Sequence, residues 1–102
     1  MRFFLDDERF PPGDDWEQWH IERTAESAMS FMEEHGCPSF ISFDHDLGAG
    51  LNGYDLAHWM VERDLDMRGV FIPADFSYYV HSQNSVGVVN IRSLLDNYLK
   101  QR

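Results

Sequence analysis

Apolar residues fall into short continuous runs, and each run ends abruptly in acidic or imidazole side chains. Arg2–Leu5 stops at Asp6-Asp7. Phe40–Phe43 stops at Asp44-His45-Asp46, and Phe76–Val80 stops at His81-Ser82. The unbroken apolar runs Arg2–Leu5 and Phe40–Phe43 fit buried strands of a parallel sheet, and Phe76–Val80 reads as a further strand. Trp19–Arg23 alternates instead, with Trp19 and Ile21 on one side and His20 and Glu22 on the other, which predicts a half-exposed strand near a sheet edge.

Helical spacing separates the runs. Thr24 is a good N-cap, Ala25, Ala28, Met29 and Met32 follow at helical intervals, and Gly36 supplies the stop. Leu56, Trp59, Met60 and Arg63 line one side of a helix over Gly53–Arg63. Ile91, Leu94, Leu95 and Tyr98 repeat at i, i+3, i+4 and i+7 in a last helix capped by Asn84 or Ser85. Pro11-Pro12-Gly13-Asp14 marks a loop over Arg9–Asp15, and Gly48–Gly53 is a second loop. Val70-Phe71-Ile72 reads as at most a short strand, cut off by Pro73. The Trp and Met stripes are core positions.

The predicted order is strand, strand, helix, strand, helix, strand, helix: an open α/β sheet of about four strands with three helices. Helical crossovers between parallel strands put all the strand ends on one rim. A sheet order of 2-1-3-4 sets the first strand beside the third, so that Asp6, Asp7, Asp44 and Asp46 face one crevice. Ligands of open α/β sheets bind in such crevices, beyond the carboxyl ends of the strands.

Composition narrows the ligand. A chain of 102 residues, 43% hydrophobic and 15% aromatic, fits one folded domain over 1–102. Its net charge of −10, from 18 acidic and 8 basic residues, argues against an extended nucleic-acid surface, which needs a basic face to release counterions. A small phosphate-containing ligand, such as a nucleotide or an RNA end, or a cation bridging to phosphate, is the expected partner. Cys37 is the only cysteine, which excludes an internal disulfide and fits a reducing cytoplasm. No apolar run approaches the ~20 residues of a membrane span, and the N-terminus lacks signal-peptide features. A cytoplasmic location is therefore expected. Oligomeric state is open; an exposed sheet edge or the Trp16–Trp19 region would suit a dimer.

The rim carries the candidate chemistry. Crowded carboxylates repel one another and recruit a cation, and oxygen ligands suit Mg2+ or Mn2+. Asp6, Asp7 and Asp44 are the expected ligands, with Asp46 as a further ligand or a base. Taken singly, each is equally a solvated loop residue or a cap. His45 lies between two carboxylates, which suits a general acid or base, or a metal ligand. His81, with Ser82 and Asn84, arrives just before a helix whose N-terminal amides, near Val86-Gly87, form an anion site. Arg9 and Arg23 are candidate phosphate clamps. His20, His35 and His58 read as structural or exposed. No nucleophile elbow, zinc CxxC pair, P-loop or dinucleotide fingerprint is present.

These residues carry a resemblance. Phe4-Leu5-Asp6-Asp7-Glu8-Arg9 and Ser42-Phe43-Asp44 resemble the first and third strands of response-regulator receiver domains, with their acidic pair and phospho-accepting aspartate. Gly53-Tyr54-Asp55-Leu56 and Ser82 match later receiver positions. The fuller set, adding Arg23-Thr24, Asp44-His45-Asp46-Leu47-Gly48 and His81-Ser82-Gln83-Asn84-Ser85-Val86-Gly87, resembles a divergent offshoot, the cyclic-phosphate-processing receiver-like domains. That resemblance implies a small receiver-like, flavodoxin-like sheet and a phosphoesterase-type activity on a cyclic phosphate, assisted by Mg2+ or Mn2+. Signalling receivers use a lysine after a fifth strand; the only lysine here is Lys100, within the final helix, and no fifth strand or helix remains. An enzyme in which His45, His81, Asp44 and Asp46 do the chemistry is one reading, with water or Asp44 as nucleophile. A non-catalytic module that binds a nucleotide or a protein partner is the other.

Overall fold

The computed structural model describes residues 1–102. Four strands, β1 (Arg2–Leu5), β2 (Trp19–Glu22), β3 (Phe40–Phe43) and β4 (Ser77–Val80), alternate with helices α1 (Ala25–His35), α2 (Gly53–Asp66) and α3 (Ser85–Gln101). The strands form one parallel sheet in the order β2-β1-β3-β4. This is the small receiver-like α/β arrangement expected from the sequence. β1 and β3 are central and buried, whereas β4 is an edge strand with Ser77 and Tyr79 exposed.

Alternation along each strand assigns the two faces of the sheet. Phe3, Leu5, Ile41, Phe43 and Val80 pack with Ala28 and Met32 of α1, Leu56 and Met60 of α2, and Ile91 and Leu95 of α3 in one core. All three helices therefore cover the same face. Phe4 and Ser42 point the other way. The opposite face has no helix; the β1–β2 connection, with a short 3-10 turn at Trp16–Gln18, lies against it. That connection is pinned by Arg2 to Asp15, by the Trp16 indole N–H donating to the Pro11 carbonyl (2.9 Å), and by Arg2 over the Trp19 ring.

The helices start where their caps dictate. Thr24 Oγ1 accepts from the Ser27 amide, Asn52 and Asp55 form a reciprocal capping box, and Asn84 Oδ1 accepts from the Gly87 amide. No helix is long and apolar enough to cross a membrane. Cys37 is half-buried, and burial, followed by the nearby Asp64 charge, pushes its thiol up to about 12.

α2 runs one turn past the predicted end at Arg63, because Asp64 anchors that turn. Asp64 is fully buried; its carboxylate accepts from the Ile72 amide (2.7 Å), the Tyr98 hydroxyl and Arg102 (3.1 Å). Burial alone would raise its pKa, but these donors outweigh burial and hold it below the usual carboxylate range. The same anchor explains why Val70–Ile72 is not a strand. Arg68 and Gly69 turn with positive φ, and the chain tucks Phe71 and Ile72 into the core while Ile72 bonds to a side chain instead of a ladder. Asp64→Ala is expected to cost about 3 kcal/mol, since it leaves buried donors unpaired. A melting temperature lowered by roughly 10–20 °C, with faster amide exchange over residues 67–76, is the expected result. A shift of only a degree or two would contradict this anchoring role.

Candidate active site

The parallel ladder continues one residue beyond each strand. The Asp6 amide donates to Glu22 O (3.2 Å), the Asp44 amide to Leu5 O (2.8 Å) and the His81 amide to Phe43 O (2.9 Å). Backbone pairing therefore sets Asp6, Asp44 and His81 side by side at the rim. Ligand-capable atoms of these three side chains lie within 4.8 Å of one another.

Asp6 is fully buried, and its lone pairs are spoken for. Oδ1 accepts from the amides of Glu8 (2.9 Å) and Arg9 (2.8 Å); Oδ2 accepts from Arg9 Nε (2.9 Å) and pairs with His81 Nε2 (3.0 Å). A carboxylate has about four such positions. Burial by itself pushes this carboxyl up; the two amides, His81 and the Arg9 charge outweigh burial, and the net displacement is downward from the ordinary 3.8. Asp6, expected from the sequence as a metal ligand, stands with Asp44 and His81 in the group whose ligand atoms converge, and its oxygens also hold Arg9 and His81 in place.

Arg9 bridges the buried acids. Its Nη2 lies 3.5 Å from Asp44 Oδ2, while Asp44 Oδ1 accepts from the His45 amide (2.9 Å). Facing Asp6 and Asp44, the guanidinium is held above its already high pKa: burial opposes this, but the charge of Asp6 prevails. The Arg9 side chain remains 45% exposed, and its Nη1 has no partner among the hydrogen bonds and ion pairs that hold Nε and Nη2. His81 lies flat on Phe4 (ring centroids 4.5 Å apart, planes within 3°), and its Nδ1 is 2.7 Å from Ser42 Oγ. A linear chain of contacts, Ser42–His81–Asp6, results.

Beside this cluster opens a cleft of about 390 Å3 with no apolar lining. Asp7, Asp44, Asp46, Arg9, Ser82 and Asn84 line it. Asp7 is exposed, and its Oδ2 passes close to Gly48. Such a set of carboxylate oxygens in a polar cleft fits a hard divalent cation.

Several candidates take other positions than the sequence implied. His45 does not line this cleft. The chain bends at His45 just past β3; Asp44 and Asp46 line the cleft, while the His45 ring turns toward α3, where a Cβ on Gly87 would sit 2.4 Å from it. His45 touches the lining of the cleft at Asp46, with Nδ1 2.8 Å from Asp46 Oδ1, and at Asn84, whose Nδ2 is 3.5 Å from the same nitrogen. That contact, then Asn84, holds the exposed Asp46 carboxyl below its ordinary range. Gly87 was expected to offer an amide to phosphate, but that amide donates to Asn84 Oδ1 (3.0 Å), and the glycine is needed for room beside His45. Asn84 is divided between the cap and Asp46, to which its Nδ2 donates (3.2 and 3.3 Å). Arg23, the other expected phosphate clamp, donates to the carbonyls of Asp6 and Arg9 and rests over the Phe10 ring at 4.7 Å. It fixes the β1–β2 connection rather than facing the cleft.

Ser42 and Phe4 were not singled out from the sequence, although both position His81. A hydroxyl inside the otherwise apolar run Phe40-Ile41-Ser42-Phe43 was the available clue. Gly53 is a further positioning residue: a Cβ there would lie 2.0 Å from the Asp44 carbonyl, so only glycine lets α2 begin against the rim.

A solved structure whose title names a yeast Spc42 trimeric coiled coil fused to another structure is similar to this chain at 16% identity and a TM-score of 0.53, over 98% of this chain and 78% of that one. At that identity the likeness concerns the fold alone. No curated protein matches the chain. The model of the family described as the cyclic-phosphate processing receiver domain matches residues 1–97. With the 2-1-3-4 sheet and the acidic rim in place, the chain belongs to that family of receiver domains.

Proposed function

We propose that the rim hydrolyses a cyclic phosphate or a related small phosphate ester. The observation that carries this reading is the adjacency of a carboxylate-lined cleft, the half-exposed Arg9 side chain and the Asp6–His81 pair, with Asp6, Asp44 and His81 set side by side by extension of one β-ladder. Asp7 and Asp44 would hold a divalent cation, Mg2+ or Mn2+, with Asp46 as a further ligand or base. Bound there, the cation would neutralise charge on a non-bridging phosphate oxygen. Arg9 and Ser82 bind the remaining phosphate oxygens. Water attacks phosphorus and gives its proton to Asp46, backed by His45. The ring P–O bond breaks, and its electrons leave on the alkoxide, which takes a proton from His81. His81 would keep one ring nitrogen on Asp6, and the N–H now turned to Ser42 is the one that the alkoxide would take over. A half-buried thiol and the lack of a membrane-crossing helix are compatible with a cytoplasmic setting.

A second reading, a module that holds the ligand without turnover, draws on the mutual satisfaction of Asp6, Arg9 and His81. A phospho-relay is disfavoured. α3 starts at the rim and carries Lys100 in its last turn, about 20 Å away along a helix of 1.5 Å rise per residue.

Incubation with 2′,3′-cyclic and 3′,5′-cyclic nucleotides in Mg2+, Mn2+ or EDTA separates the readings. Turnover that EDTA suppresses, and that His81→Ala lowers by about 100-fold or more, is the expected result. Tight binding with no product from any ester supports the module, and full activity in EDTA removes the cation.

A further inference from the structure

We infer that a second pocket, on the helix-free face of the sheet, receives the base of a nucleoside phosphate whose phosphate occupies the acidic cleft. This rests on the phosphoester reading above and names its substrate class.

The pocket measures about 400 Å3, within the range of small-molecule sites. Its walls are aromatic: Phe4, Phe10, Trp19, Phe40 and Tyr79. Its polar groups are Ser42, His81 and Arg9. Arg9 also lines the acidic cleft, so the two cavities share a wall. A ligand spanning them needs a flat apolar ring at one end and an anion at the other, which is the chemistry of a nucleoside phosphate.

The rings differ in availability. Phe4 is covered by His81 on one side and meets the edge of Trp19 on another. Phe10 is taken by Trp16 on one face and by the Arg23 guanidinium on the other. Tyr79 is 62% exposed on the edge strand and stacks with no other ring. A base entering from solvent meets the Tyr79 face, with the edge of Phe10 across the pocket. Ser42 and His81 are bonded to each other, so few groups remain to read a base edge. Recognition is by stacking, which tolerates any base. This placement also directs the sugar hydroxyl that leaves phosphorus toward His81.

Binding of reaction products tests the pocket without requiring turnover. Adenosine 3′-phosphate and the base-free glycerol 2-phosphate are titrated against the intact protein, with saturation-transfer NMR on the base protons. The nucleotide is expected to bind about tenfold tighter, with transfer to the base. Tyr79→Ala is expected to erase that preference, and Tyr79→Phe to keep it. Equal affinities, or a preference untouched by Tyr79→Ala, would overturn the inference. So would a wild-type dimer in sedimentation that Tyr79→Ala dissociates, because a second copy would then cover this face. A base preference in a protein that turns over no cyclic ester keeps the pocket and rejects the hydrolytic reading. Turnover without base preference does the reverse.

Discussion

Asp44→Asn is expected to lower kcat/KM on a cyclic phosphate by about 100- to 1,000-fold while leaving the fold intact. Asparagine keeps the size of the side chain, and its carbonyl oxygen can still accept from the His45 amide as Oδ1 does now. What is lost is the charge that faces Arg9 and the cleft. Without it the proposed cation would have one anionic ligand fewer, and Arg9 would have only Asp6 to balance it. Kinetics on the variant, alongside a melting curve, separate the two effects. A melting temperature within a few degrees of wild type and a collapsed rate is the expected pair. Unchanged kinetics would remove Asp44 from the chemistry.

Asp6→Ala is expected to act on stability first. It strips partners from two backbone amides, from Arg9 Nε and from His81 at once. Each buried group left unpaired costs about 1–3 kcal/mol, although the losses do not add fully once water enters. A net loss of about 3–5 kcal/mol would consume much of the 5–15 kcal/mol typical of small domains. Urea unfolding measures it, and a loss below about 1 kcal/mol would contradict the structural role of Asp6. The variant also changes the acid limb of stability. Asp6 is held below its ordinary 3.8, so its contribution is complete above that value and is lost as pH falls through the lower folded pKa. In Asp6→Asn this part of the acid-induced loss of stability should disappear.

The rim was legible from the sequence because three apolar runs each end in side chains that strands cannot bury without partners. Parallel connections then left little choice about which ends meet. The edge position of β4 followed from the predicted 2-1-3-4 order, although Ser77-Tyr78-Tyr79-Val80 taken alone is apolar enough to pass for a central strand. The extra turn of α2 depended on Asp64 finding Tyr98 and Arg102, which lie more than thirty residues away. No local pattern reports such a bond. His45 sits between two aspartates in the chain, but a bend at that residue turns its ring toward α3, where it contacts Asp46 and Asn84 at the margin of the cleft. Asp6 and Asp7 look equivalent in the sequence. The turn after β1 folds two amides and Arg9 back onto Asp6 and leaves Asp7 in the cleft. The helix-free face was foreseeable in part, since the Pro-rich β1–β2 connection is too short and irregular for a helix.

One measurement bears most directly on the central claim. Phosphorus NMR can follow a 2′,3′-cyclic nucleotide mixed with the protein and Mg2+, in parallel with Asp44→Asn. The cyclic resonance is expected to give way to a ring-opened phosphate monoester with wild type and to persist with the variant. A cyclic resonance that persists with wild type, or one that the variant opens equally fast, would contradict that claim.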